Sequence, residues 1–96
     1  MFARMVVVKC QAGKEDTFSQ RARNGLRFYR EQPGCRGVQL LTCRADPTQL
    51  IALSYWDREA DLLDARANPS YQEAMAGLAE TYAEPPSGGE WDVLDI

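Results

Sequence analysis

Hydrophobic and polar positions divide the chain into segments of two different periods. The most uniform stretch is Leu50 to Trp56, seven uncharged residues ending in Tyr55 and Trp56, with Asp57-Arg58-Glu59 following at once. It reads as a buried strand that turns into a helix, with Asp57 as the N-cap because its carboxylate accepts the open N–H groups of a first helical turn. Phe2 to Cys10 is a second strand, apolar on both faces: Phe2, Val6 and Val8 on one, Ala3, Met5 and Val7 on the other. A strand of that kind is covered from both sides. From Lys14 to Glu31 the spacing becomes helical, with Phe18, Ala22, Gly25, Leu26 and Tyr29 on one stripe. Gly25 costs such a helix about 1 kcal/mol relative to alanine unless a close neighbour uses the missing side chain.

Gln32-Pro33-Gly34 ends that helix, because proline removes a donor and disfavours helical geometry in the residue before it. Cys35 to Ala45 alternates as another strand, and Asp46-Pro47-Thr48 turns it back into the Leu50 strand as a hairpin. After Trp56, Ala60, Leu63 and Ala67 form a short ridge with Leu62 beside it. Asn68-Pro69 then restarts the helix, Asn as cap and Pro at the first position. Tyr71, Ala74, Met75, Leu78, Ala79 and Tyr82 predict one continuous stripe. Glu84 to Gly89 reads as a flexible connection, and Glu90 to Ile96 as the last strand.

The order strand-helix-strand occurs twice. It predicts an α+β chain of ferredoxin-like βαββαβ type, a four-stranded antiparallel sheet with both helices on one face. Right-handed crossovers put the first and third strands in the centre. The reverse of the sheet still carries Met5 and Val7, which predicts a homodimer packed sheet against sheet into a dimeric α+β barrel.

Composition narrows the function by exclusion. Ninety-six residues with 45% hydrophobic content suit one domain, residues 1–96. A net charge of −3 argues against a nucleic-acid partner. No apolar run is long enough to span a membrane and the N-terminus lacks a signal-peptide pattern, so the expected location is cytoplasmic. Cys10, Cys35 and Cys43 form no CxxC and read as reduced thiols. Histidine is absent, which removes the Ser-His-Asp triad, His-ligated haem and an imidazole base. Arg66 at the end of its helix has the charge to stabilise a phenolate but reads first as a solvated helix end, and Asp61, Asp64, Glu59 and Glu73 read as surface charge.

Several pieces in order carry a resemblance: Gln11-Ala12-Gly13-Lys14-Glu15 with Phe18, Glu31-Gln32-Pro33-Gly34-Cys35, Ser54 to Ala60, Asn68-Pro69-Ser70-Tyr71, and Glu84-Pro85-Pro86. Together they resemble the antibiotic biosynthesis monooxygenase family of dimeric α+β barrel proteins over nearly the whole chain. The resemblance implies a monooxygenase that oxidises a small aromatic (quinol, anthrone or polyketide-like) with O2 and needs no cofactor, since the substrate anion itself reduces oxygen. Trp56 matches the family's strand-end Trp, which lines the pocket between sheet and helices. Where polyketide-oxidising members carry Asn and Tyr, this chain has Ala52 and Leu62; where others carry His or Arg, it has Met75. The expected substrate-binding set is Trp56, Tyr71, Met75, Ala52 and Leu62, with no catalytic residue assigned. The loss of these polar groups leaves a second reading open, a non-catalytic small-molecule-binding or accessory dimer.

Overall fold

The computed structural model describes residues 1–96. Four strands, β1 (Phe2–Lys9), β2 (Cys35–Thr42), β3 (Gln49–Trp56) and β4 (Ser87–Asp92), form one antiparallel sheet in the order β2-β3-β1-β4. The two most apolar strands are therefore central, paired from Phe2 opposite Trp56 to Lys9 opposite Gln49. Helices α1 (Glu15–Arg30), α2 (Glu59–Ala67) and α3 (Pro69–Ala74) complete the fold with a 3-10 turn at Leu78–Thr81. None of the helices is long and apolar enough to cross a membrane. This is the ferredoxin-like α+β arrangement that the order of elements predicts.

The α1 stripe packs as its spacing dictates. Phe18, Ala22, Gly25 and Tyr29 are buried, with Glu15 and Asp16 in the first turn and Arg27 and Arg30 in the last, complementing the helix dipole. Gly25 is used for close approach. A Cβ there would overlap the Met75 side chain, with Cγ only 2.9 Å away. Gly34 takes φ +83° in the turn that follows the helix, where Cys35 N–H donates to Gln32 O at 3.2 Å, and a side chain there would strike the carboxylate of Asp61.

Five local expectations are corrected by the structure. Asp57 does not cap α2, because Arg36 on β2 donates to its Oδ1 at 2.7 Å; Arg58 is the N-cap residue and has no side-chain cap bond. Asp61 is buried, tucked against side-chain-free Gly34, and accepts from Arg58 Nε at 3.2 Å and Nη2 at 2.9 Å. The buried side of α2 is Asp61, Leu62 and Ala65, while Leu63 is exposed. Apolar residues lie all round this short helix, so period alone does not choose a face. Contact of Leu62 with Trp56 and Tyr29 does.

The second stripe is broken at Gly77, which takes φ +80° while Arg21 Nη1 donates to its carbonyl at 2.6 Å. The Asn68 cap itself forms, its Oδ1 accepting from Ser70 N at 2.9 Å. Finally, β4 starts at Ser87 and stops at Asp92. Gly88 and Gly89 pair with Val6 and Met5, and Gly88 leaves room for the Arg4 guanidinium, whose Nη2 would lie 2.7 Å from a Cβ. Glycine here marks a close approach instead of a loop.

The Arg58 fork holds the Asp61 carboxyl below the usual carboxylate range, chiefly through its hydrogen bonds. A depressed folded-state pKa adds stability above the unfolded value, near 4, and that stability is lost as pH falls through the folded value. Thermal unfolding followed from pH 7 to 2 should show wild type ahead of Asp61→Asn at neutral pH and the two converging in acid. A constant difference across the range would refute this linkage.

Candidate functional site

The interior is built from two clusters. One gathers Val8, Cys10, Phe18, Ala22, Leu50 and Leu78; the other holds Tyr29, Trp56, Leu62 and Ala65. Residues of both clusters line a cavity of about 280 Å³ between the sheet and the helices. Its floor is Val6 and Val8 of β1 with Ala52 of β3. Its roof is Ala22, Leu26 and Tyr29 of α1 with Tyr71 and Met75, and Leu78 and Tyr82 also line it. Twelve of the fifteen lining residues are hydrophobic, and the three others are Arg4, Ser54 and Arg66. The polar groups thus stand out against hydrocarbon.

Of the expected set, Ala52, Tyr71 and Met75 line this cavity. Trp56 and Leu62 do not. Both are fully buried in the second cluster, behind Tyr29. The Trp56 ring meets Tyr29 edge-on, centroids 5.2 Å apart at 83°, and its Nε1–H donates to Ser54 Oγ at 2.8 Å. With its one polar atom satisfied by its own strand, the indole is structural wall at one remove. Tyr29 stacks in turn on Tyr71, centroids 4.3 Å apart at 6°.

That stack and the surrounding burial push the Tyr71 hydroxyl far above its usual range; burial is the larger cause, the neighbouring Tyr29 the next, and Arg66 opposes them in part. Burial also raises Tyr82. Tyr71 therefore keeps its proton, for which the neighbouring Tyr29 and a ligand oxygen would compete as acceptors.

Residue-by-residue reading missed Arg4, Tyr29 and Glu90, and set Arg66 aside as solvated. Arg4 Nη1 lies 3.3 Å from Glu90 Oε1, and Arg66 Nη2 lies 3.8 Å from the same oxygen. The sequence held one signal. On the Phe2-Arg4-Val6-Val8 face of β1, the side that meets the helices, Arg4 is the only charge. No group of three or more His, Cys, Asp or Glu side chains converges to offer a metal site.

The family model for antibiotic biosynthesis monooxygenases matches residues 1–77. No protein of curated function matches the chain in sequence. A Nitrosomonas europaea protein assigned as an antibiotic biosynthesis monooxygenase superposes with TM-score 0.90 at 20% identity, covering 99% of this chain and 100% of its own. A Bordetella bronchiseptica protein of the same assignment gives 0.82 at 21%, covering 97% and 96%. SnoaB, a cofactor-independent oxygenase from Streptomyces nogalater, gives 0.87 at 17%, covering 99% and 94% in a mutant form. At these identities the likeness is one of fold.

Proposed function

The chain belongs to the antibiotic biosynthesis monooxygenase family, and on that premise we propose that it oxidises a small electron-rich aromatic, a quinol of one or two rings, with O2 and no cofactor. The observation that carries this is the cavity, hydrocarbon on most sides with a protonated tyrosine and a guanidinium on its wall. Ligand pockets commonly run from about 300 to 1,000 Å³. At about 280 Å³ this one suits one or two fused rings better than a tetracyclic polyketide.

The stoichiometry balances without a co-reductant. A hydroquinone and O2 give a hydroxyquinone and water: one oxygen atom enters the ring, the other leaves as water, and all four electrons come from the substrate. The protein's part is to favour the substrate anion and keep water away while oxygen approaches. Tyr71 donates to the phenolic oxygen as charge grows there. The family resemblance also supports a dimer. Met5, Val7, Leu41, Ile51, Leu53 and Trp91 share the sheet face turned away from the helices, and Val7, Leu41 and Trp91 are exposed there.

Ala52 tests the site because its side chain borders empty space. Ala52→Leu puts three more carbons into the cavity without displacing a packed neighbour. Anaerobic loading with 1,4-naphthalenediol, then admission of oxygen, should give hydroxynaphthoquinone and oxygen uptake above the spontaneous rate, without matching hydrogen peroxide. Filling the cavity should reduce that excess at least about tenfold, the effect of losing roughly 1.4 kcal/mol of transition-state binding. Equal rates for wild type, Ala52→Leu and buffer would leave the second reading, a binding dimer without turnover. That reading is favoured by hydrocarbon at Ala52 and Leu62, where oxidising members of the family carry polar groups.

A further inference from the structure

The charges at the cavity wall do not balance. Arg4 and Arg66 both line it, and one carboxylate, Glu90, stands between them. Glu90 is paired with Arg4 across the β1–β4 ladder and meets it at 3.3 Å, so its stronger engagement is with Arg4. Arg66 is held only at 3.8 Å, beyond hydrogen-bond reach, and its Nη2 is sealed from water with no acceptor. A guanidinium nitrogen deprived of both water and an acceptor loses its solvation and gains nothing in return. The oxygen that would satisfy it is absent from the chain.

The remainder of the cavity states what else that oxygen is attached to. Val6, Ala22 and Met75 offer hydrocarbon. Arg66 and Tyr71 line the same cavity and offer it a cationic and a phenolic donor. We infer that the cavity receives a small aromatic carboxylate, its ring among the apolar walls and its carboxylate on Arg66 Nη2, which leaves the Tyr71 hydroxyl for an oxygen on the ring. A carboxylate suits the place because it accepts charge-assisted hydrogen bonds from a guanidinium, and Arg66, although 41% exposed as a side chain, keeps Nη2 buried and without an acceptor. The substrate class would then be a ring that bears a fixed acid group as well as oxidisable hydroxyls. This rests on the reading of the cavity as the substrate site.

Titration calorimetry with 1-naphthoate and its neutral isostere 1-naphthamide tests it. Wild type should bind the acid at least about tenfold more tightly than the amide, the lower end of what a hydrogen bond to a charged group is worth. Arg66→Gln should erase that preference, and Arg66→Lys should keep part of it. Arg23→Gln, which removes an exposed α1 charge, should keep all of it. Equal affinity for acid and amide, no binding of either, or an acid preference that survives Arg66→Gln would overturn the assignment. Acid-selective binding without oxygen uptake from any hydroxylated ring would uphold it and end the oxygenase reading. Neutral naphthalenediol turnover undiminished by Arg66→Gln would do the opposite.

Discussion

Trp56→Ala is expected to cost about 3–5 kcal/mol of stability, the range for removing a large aromatic from a closed interior. Trp56 has no exposed surface, supports Tyr29 edge-on and packs with Leu62 and Ala65. A chain of this length has roughly 5–14 kcal/mol in total, so the loss is a large fraction of the whole. Urea unfolding followed by far-ultraviolet circular dichroism would measure it. A midpoint within experimental error of wild type would show that the indole is not the keystone of its cluster. The same placement changes how activity data should be read. Because Trp56 stands behind Tyr29 and not on the cavity, lost turnover in Trp56→Ala reports collapse of the Tyr29–Tyr71 stack and says nothing of substrate contact. Trp56→Phe, which keeps a ring and gives up the bond to Ser54, separates the two.

Val7→Lys is expected to leave the protomer folded and to split the proposed dimer. Val7 lies on the sheet face away from the helices, opposite Ile51, and is already 38% exposed in the single chain, so lysine there displaces nothing within the protomer. In a two-fold sheet-on-sheet contact each substitution counts twice. Even a modest penalty of ~2 kcal/mol per copy for drying a lysine weakens association on the order of a thousandfold. Sedimentation velocity should find wild type at twice the 10.8 kDa chain mass and the variant at one. Wild type sedimenting as a single chain at micromolar concentration would sink the barrel.

The sheet was legible because its signals were redundant. The central strands are apolar on both faces, and hydrophobic continuity, turn chemistry and element order all agree on their place. Legibility failed where one residue type serves two purposes. Gly88 and Gly89 look like a linker, yet one makes room for Arg4 within a ladder. Gly77 sits inside a helical stripe and breaks it, because Arg21 from another helix takes its carbonyl. Asp57 had the chemistry of a cap and a nearer claimant in Arg36. At the site, Ala52, Tyr71 and Met75 were reachable through the resemblance. Arg66 had the right charge but was set aside, because the end of a short helix looks solvated in sequence and only the fold brings β4 and its Glu90 alongside.

Gly25 sets a dimension. With no Cβ on α1 at that point, the Met75 thioether settles directly on the helix backbone, and the hollow beneath inherits its height from that contact. A single methyl at position 25 would meet the thioether and oblige that pliable side chain to turn aside within the chamber it lines. The shape of the chamber at that end is thus set jointly by a missing methyl and a movable sulfur.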